Sequence, residues 1–99
     1  MQVLRNPDEV ARFAAAVVRR HLPDPAYRVF LFGSRATGTA GDRSDIDIGI
    51  EGPAPVPRAA LVAIEDELEE APTLFTVEIV DFARVSETFR RVASERIPL

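Results

Sequence analysis

"FGSRATGTAGDRSDIDIGI", residues 32–50, brings two features close together that a fold does not adopt for packing alone. A Gly33-Ser34 pair follows an apolar run, and Asp45 and Asp47 then stand on alternate residues. In "DIDIGI", 45–50, Ile46, Ile48 and Ile50 face one way and the two aspartates the other, the pattern of a half-buried strand. Residues two apart on a strand lie about 6.6 Å from each other and point the same way. Two like charges at that spacing repel by roughly 2–3 kcal/mol at an effective dielectric near 20. Either water screens them on an exposed face, or a cation sits between them. At the other end, glycine lets an anion approach the main chain. A strand-to-helix turn presents unpaired N–H groups there, and the Ser34 hydroxyl can donate one more hydrogen bond.

The flanking segments place this stretch in a fold. "YRVFLF", 27–32, reads as a buried strand that Gly33 ends. Residues 34–39 have room for a short helix only, and "TAGDRS" is a loop. Upstream, "NPDEVARFAAAVVRRHL" is a helix capped by Asn6, with Pro7 at its first position and Glu9 placed for a capping box. Downstream, "EGPAPVP" is a linker stiffened by three prolines, and "RAALVAIEDELEEA" is a helix with Leu61, Ile64 and Leu68 inward. "TLFTVEIVDF", 73–82, is a third strand carrying Glu78 on the face opposite Val77 and Ile79. "SETFRRVASERI" is a closing helix capped by Ser86. The order predicts an α/β domain over residues 1–99, a small mixed sheet with flanking helices.

Composition narrows the chemistry. Forty-six per cent hydrophobic and 28% charged residues suit a globular domain. No apolar stretch reaches the roughly 20 residues of a membrane-spanning helix, and "MQVLRNPDEV" lacks a signal-peptide pattern, so a cytoplasmic location is expected. Without cysteine, any metal must be held by oxygen or imidazole. A net charge of −4 argues against a broad nucleic-acid footprint, although all 12 basic residues are arginine. Arg35 and Arg43 flank the glycine loop, where each is either solvated or a phosphate partner. An anion cradle beside a hard-oxygen cation site is what a nucleoside triphosphate bound through Mg²⁺ requires. Glu78 is positioned to complete the carboxylates, or is simply a charge on the same wet face.

Gly33-Ser34, ten intervening residues, then Asp45-Ile46-Asp47 resembles the G-S-x₁₀-D-x-D signature of minimal nucleotidyltransferases of the DNA polymerase β superfamily. The apolar strand before Gly33, "SDIDIGI" and "VEIVDFARVSETFRRVASERIPL" match the same group, so the resemblance covers nearly the whole chain. It implies a polymerase β-like nucleotidyltransferase fold in which Gly33, Ser34, Arg35 and Ser44 bind the triphosphate of ATP. Asp45, Asp47 and Glu78 would be the catalytic and metal-binding acids, holding two Mg²⁺ ions. AMP would pass to an acceptor hydroxyl with release of pyrophosphate. The third acid of the family is usually aspartate, and glutamate stands at position 78. One more methylene moves the carboxylate by about 1.5 Å. Asp81 faces the other side of the strand. The resemblance also implies a small all-helical HEPN partner, a toxin that this domain would silence by adenylylating a tyrosine, with no direct nucleic-acid partner. The alternative is a catalytically weak module that neutralises or assists the HEPN protein by binding it, in a homo- or hetero-oligomer. His21, Tyr27, Arg90 and Arg91 are expected to serve packing or surface roles.

Overall fold

The computed structural model describes residues 3–41 and 44–99. Its elements are α1 (Pro7–His21), β1 (Arg28–Phe32), α2 (Ser34–Thr37), β2 (Ile46–Glu51), α3 (Arg58–Glu69), β3 (Val77–Asp81), α4 (Glu87–Val92) and β4 (Ile97–Pro98). Asn6 caps α1, its Oδ1 accepting the Asp8 N–H at 2.8 Å. Asp8 and Glu9 sit at the positive end of the helix dipole, and Arg19, Arg20 and His21 at the negative end. Val10, Ala14, Val17 and Val18 form the buried face.

The sheet is mixed, in the order β3-β2-β1-β4. Strand β1 runs antiparallel to β2 and β4, while β2 runs parallel to β3 across the proline-rich connection and α3. Alternation divides the side chains between two faces. Val29, Leu31, Ile46, Ile48 and Ile50 pack with α1 and with Ile64 and Leu68 of α3 in the main core. Phe30, Phe32 and Phe82 form a second cluster on the other face, and Phe89 of α4 packs edge-on against Phe32 and Phe82. Gly49 makes this cluster possible, since a Cβ there would overlap the Phe30 and Phe82 rings. The face that carries the aromatics is therefore also the face of Asp47 and Glu78.

Three boundaries depart from the sequence reading. Strand β2 begins at Ile46, which leaves Asp45 just ahead of it. Residues 73–76 do not extend β3: the Phe75 N–H bonds to Thr73 Oγ1 at 3.2 Å, a side-chain turn that competes with strand pairing. The last helix is capped by Ser86 as expected, its Oγ accepting from Phe89 N at 3.0 Å. It ends at Val92, however, and residues 97–98 pair with Leu31 and Phe30 as an edge strand. Pro98 explains part of this, because the residue before a proline is pushed towards extended backbone. Arg96 explains the rest: its guanidinium lies 4.3 Å from the Phe30 ring centroid and donates to Glu51 Oε1 at 2.8 Å.

Candidate active site

Three strand ends meet where β1 finishes and β2 and β3 begin. Phe32 pairs with Asp47 across β1–β2, and Asp47 pairs in register with Glu78 across β2–β3. Neighbouring strands lie about 4.8 Å apart, and in-register residues share a face, so the two carboxylates are side by side. Directly after Phe32 comes Gly33, with φ of 75°, in the region that only glycine enters freely. A Cβ at Gly33 would overlap Asp47 Oδ2. The glycine turn is thus in contact with Asp47, the second of the two alternate aspartates.

The electrostatics follow from that crowding. Asp47 is partly buried, and its pKa is raised above the ordinary aspartate value, first by burial, then by the charge of Glu78, then by that of Asp45. Asp45 is exposed in the loop before β2. Among the described residues, no three acidic or imidazole groups converge tightly enough to hold one metal ion. The donors nevertheless suit a hard cation, being carboxylate oxygens only, and the absence of a side chain at Gly33 lets the Asp47 carboxylate lie against the turn.

The glycine turn opens α2. In a helix the first N–H groups have no intrahelical acceptor; the Ala36 and Thr37 N–H groups here bond to the Gly33 carbonyl at 3.0 and 3.1 Å. The Ser34 hydroxyl makes no hydrogen bond with the described residues, whereas its carbonyl accepts from Thr39 N at 3.0 Å. Arg35 is committed elsewhere. Its guanidinium donates to the Ser44 carbonyl from Nη2 at 2.7 Å and from Nε at 3.2 Å, and it lies 5.2 Å from the Phe75 centroid. The Ser44 hydroxyl accepts the Gly41 N–H at 2.8 Å. Arg35 and Ser44 therefore tie down the loop that delivers Asp45. Arg43 lies outside the described residues.

Other acids and cations have structural partners. Asp81 is buried and accepts from Val56 N at 2.9 Å, Ala83 N at 3.0 Å and Arg84 Nε at 3.1 Å, pinning the proline-rich connection to β3. His21 Nε2 lies 3.0 Å from Glu67 Oε1, and Arg20 also pairs with Glu67. Tyr27 is buried, with its hydroxyl 3.4 Å from the Pro55 carbonyl. Arg90 donates to the Phe82 carbonyl. Glu51 and Arg96 escaped the sequence reading: 45 residues separate them, and no local pattern announces the pair.

Residues 10–96 match the family described as Nucleotidyltransferase domain. The chain belongs to that family. Among curated relatives, it is 34% identical over 68 residues to the "Probable protein adenylyltransferase MntA" of Haemophilus influenzae. That match covers 69% of this chain and 60% of the relative, so the chain spans well under the relative's full length. Among solved structures, a chain of a toxin–antitoxin complex with AMP-PNP superposes with a TM-score of 0.62 at 22% identity, covering 89% of this chain and 70% of the other. A chain of the complex between a tri-AMPylated Shewanella oneidensis HEPN toxin and its MNT antitoxin superposes with a TM-score of 0.60 at 17% identity, covering 94% and 71%. At these identities the likeness establishes a shared nucleotidyltransferase fold.

Proposed function

We propose that this domain is a Mg²⁺-dependent adenylyltransferase that moves AMP from ATP to a hydroxyl, a tyrosine by analogy, on a helical HEPN partner, and so acts as the antitoxin of that pair. The observation that carries the proposal is the contact of Gly33 with Asp47 and the register that sets Glu78 beside it. The curated relative's name and the AMPylated HEPN complex supply the nucleotide and the class of acceptor. A minimal domain over residues 1–99 working in the cytoplasm is consistent with this reading. No helix among the described residues is long and apolar enough to cross a membrane.

In this mechanism the Gly33 turn and the Ser34 hydroxyl bind the triphosphate, while Arg35 and Ser44 act at one remove by fixing the Asp45 loop. Asp45 and Asp47 would hold two Mg²⁺ ions together with Glu78, the residue in register with Asp47. When bound, such ions offset the charge that develops on the phosphate oxygens. Glu78 accepts the proton of the acceptor hydroxyl as its oxygen bonds to the α-phosphorus, while the bond from that phosphorus to the α,β-bridging oxygen breaks and pyrophosphate leaves.

Mass spectrometry of the HEPN partner, incubated with this protein, ATP and Mg²⁺, tests the proposal. The expected result is an added AMP that disappears with Asp45→Asn and with Asp47→Asn. A partner that is inhibited yet never modified would instead favour neutralisation by binding alone, the reading that Glu78 in place of the usual aspartate keeps in view.

A further inference from the structure

We propose that the outer edge of β3 is the seat of the acceptor: an extended, positively charged segment of the partner protein adds as a strand there and presents its hydroxyl beside Glu78. The inference rests on the transferase reading above and names how its protein substrate is held. Strand β3 lies at the end of the sheet order, with β2 on one side only. Thr76 O accepts from Ile46 N and Phe82 N donates to Ile50 O, each at 2.9 Å, so the even-numbered residues of this segment bond to β2. In a parallel pair the intervening residues point their peptide groups the opposite way. Those of Val77 and Ile79 therefore face outward, as does the Asp81 N–H, while the Asp81 carbonyl is taken by Arg84 N at 3.0 Å.

That edge opens onto a groove of about 530 Å³ between β3 and α3. Its floor is apolar, with Leu68, Phe75, Val77 and Ile79, and Leu74 beside it is entirely exposed. Glu65 and Glu69 from α3 and Glu78 from β3 supply its charge. Among the described residues that line it there is no cation, and Arg35, which lies over the Phe75 ring, is turned to the Ser44 carbonyl. Unpaired main-chain donors and acceptors, an apolar floor and carboxylate walls together fit an extended peptide with basic side chains, the strand-addition mode of peptide recognition. No proline or lysine blunts β3 against such pairing, as edge strands left bare usually require. Because Glu78 borders both the groove and Asp47, a side chain of the added strand that projects on the aromatic face arrives at the acids.

The test uses a fluorescein-labelled extended peptide with one tyrosine among alternating valines and arginines, titrated by anisotropy at physiological salt. Two companions are the same peptide N-methylated on alternate backbone nitrogens and a version with glutamate for arginine. Saturable binding by the parent peptide is expected, weakened at least ~10-fold by N-methylation, by the glutamate exchange, and by Glu65→Lys with Glu69→Lys in the protein. Equal binding of the N-methylated peptide, indifference to the two lysine substitutions, or no binding of any peptide overturns the proposal. Mass spectrometry of the same mixtures with ATP and Mg²⁺ separates the two ideas. Groove binding without AMP transfer leaves the docking site standing and removes the transferase reading. Transfer that ignores both N-methylation and the lysine substitutions does the reverse.

Discussion

At Asp47 the fold concentrates negative charge that it could have dispersed. In the folded chain this carboxyl holds its proton more tightly than in the unfolded one, because burial, Glu78 and Asp45 all disfavour ionisation. A raised folded pKa means a contribution to stability that is complete below the unfolded value and is lost as the pH rises through the folded value. At neutral pH Asp47 is therefore a local cost. Asp47→Asn should raise Tm by a few degrees at pH 7, with the gain shrinking towards about pH 4, while abolishing AMP transfer. Calorimetric melts across that range check it. Glu78 is open to a sharper test. If it accepts a proton, Glu78→Gln should lower the transfer rate by about 100-fold or more, the scale of a lost general base. Glu78→Asp, which restores the family's usual acid, should keep most of the rate in single-turnover assays. The Gly33 contact sets a third expectation: Gly33→Ala meets both a disfavoured φ and the Asp47 carboxylate, and should lose nucleotide binding in a filter assay.

Elements show where local pattern sufficed and where it did not. The alternation of "DIDIGI" gave β2, and the caps at Asn6 and Ser86 gave two helix starts, because those signals are carried by neighbouring residues. The pairing of Asp47 with Glu78 was legible only as a shared face; the register itself comes from a parallel crossover that no short window contains. The fate of the C-terminus was hidden for the same reason. "ERIPL" leaves the helix because Arg96 finds Phe30, Phe82 and Glu51, all distant in sequence. Glu51 has its pKa lowered chiefly by the Arg96 hydrogen bond, so its stabilising share is present above its unfolded pKa and lost as the pH falls through the folded one. Arg96→Ala should cost about 1–2 kcal/mol in urea unfolding at pH 7, from the cation–π contact and the ion pair together. The cost should narrow in acid as Glu51 protonates. Asp81, expected only to face away from the site, has a larger role as the anchor of the proline-rich connection. Asp81→Ala strands buried N–H groups and should cost about 2–4 kcal/mol by the same measurement.

For the whole molecule, the two faces of one sheet divide the labour. One face is closed by α1 and α3 over aliphatic residues and supplies the core. The other carries Phe30, Phe32 and Phe82 packed with Phe89 of α4, and Asp47 and Glu78 near the starts of β2 and β3. Glu78 also lines the groove along the open edge of β3. Folding stability in the core and repulsion at the acids are thus separate quantities, and a cation bound at the acids should strengthen the fold by its own binding free energy. Isothermal titration of AMP-PNP with Mg²⁺ tests the central claim most directly. Saturable binding that vanishes with EDTA and with Asp47→Asn is the predicted result. Binding of the same strength without Mg²⁺, or undiminished in Asp47→Asn, would contradict the account.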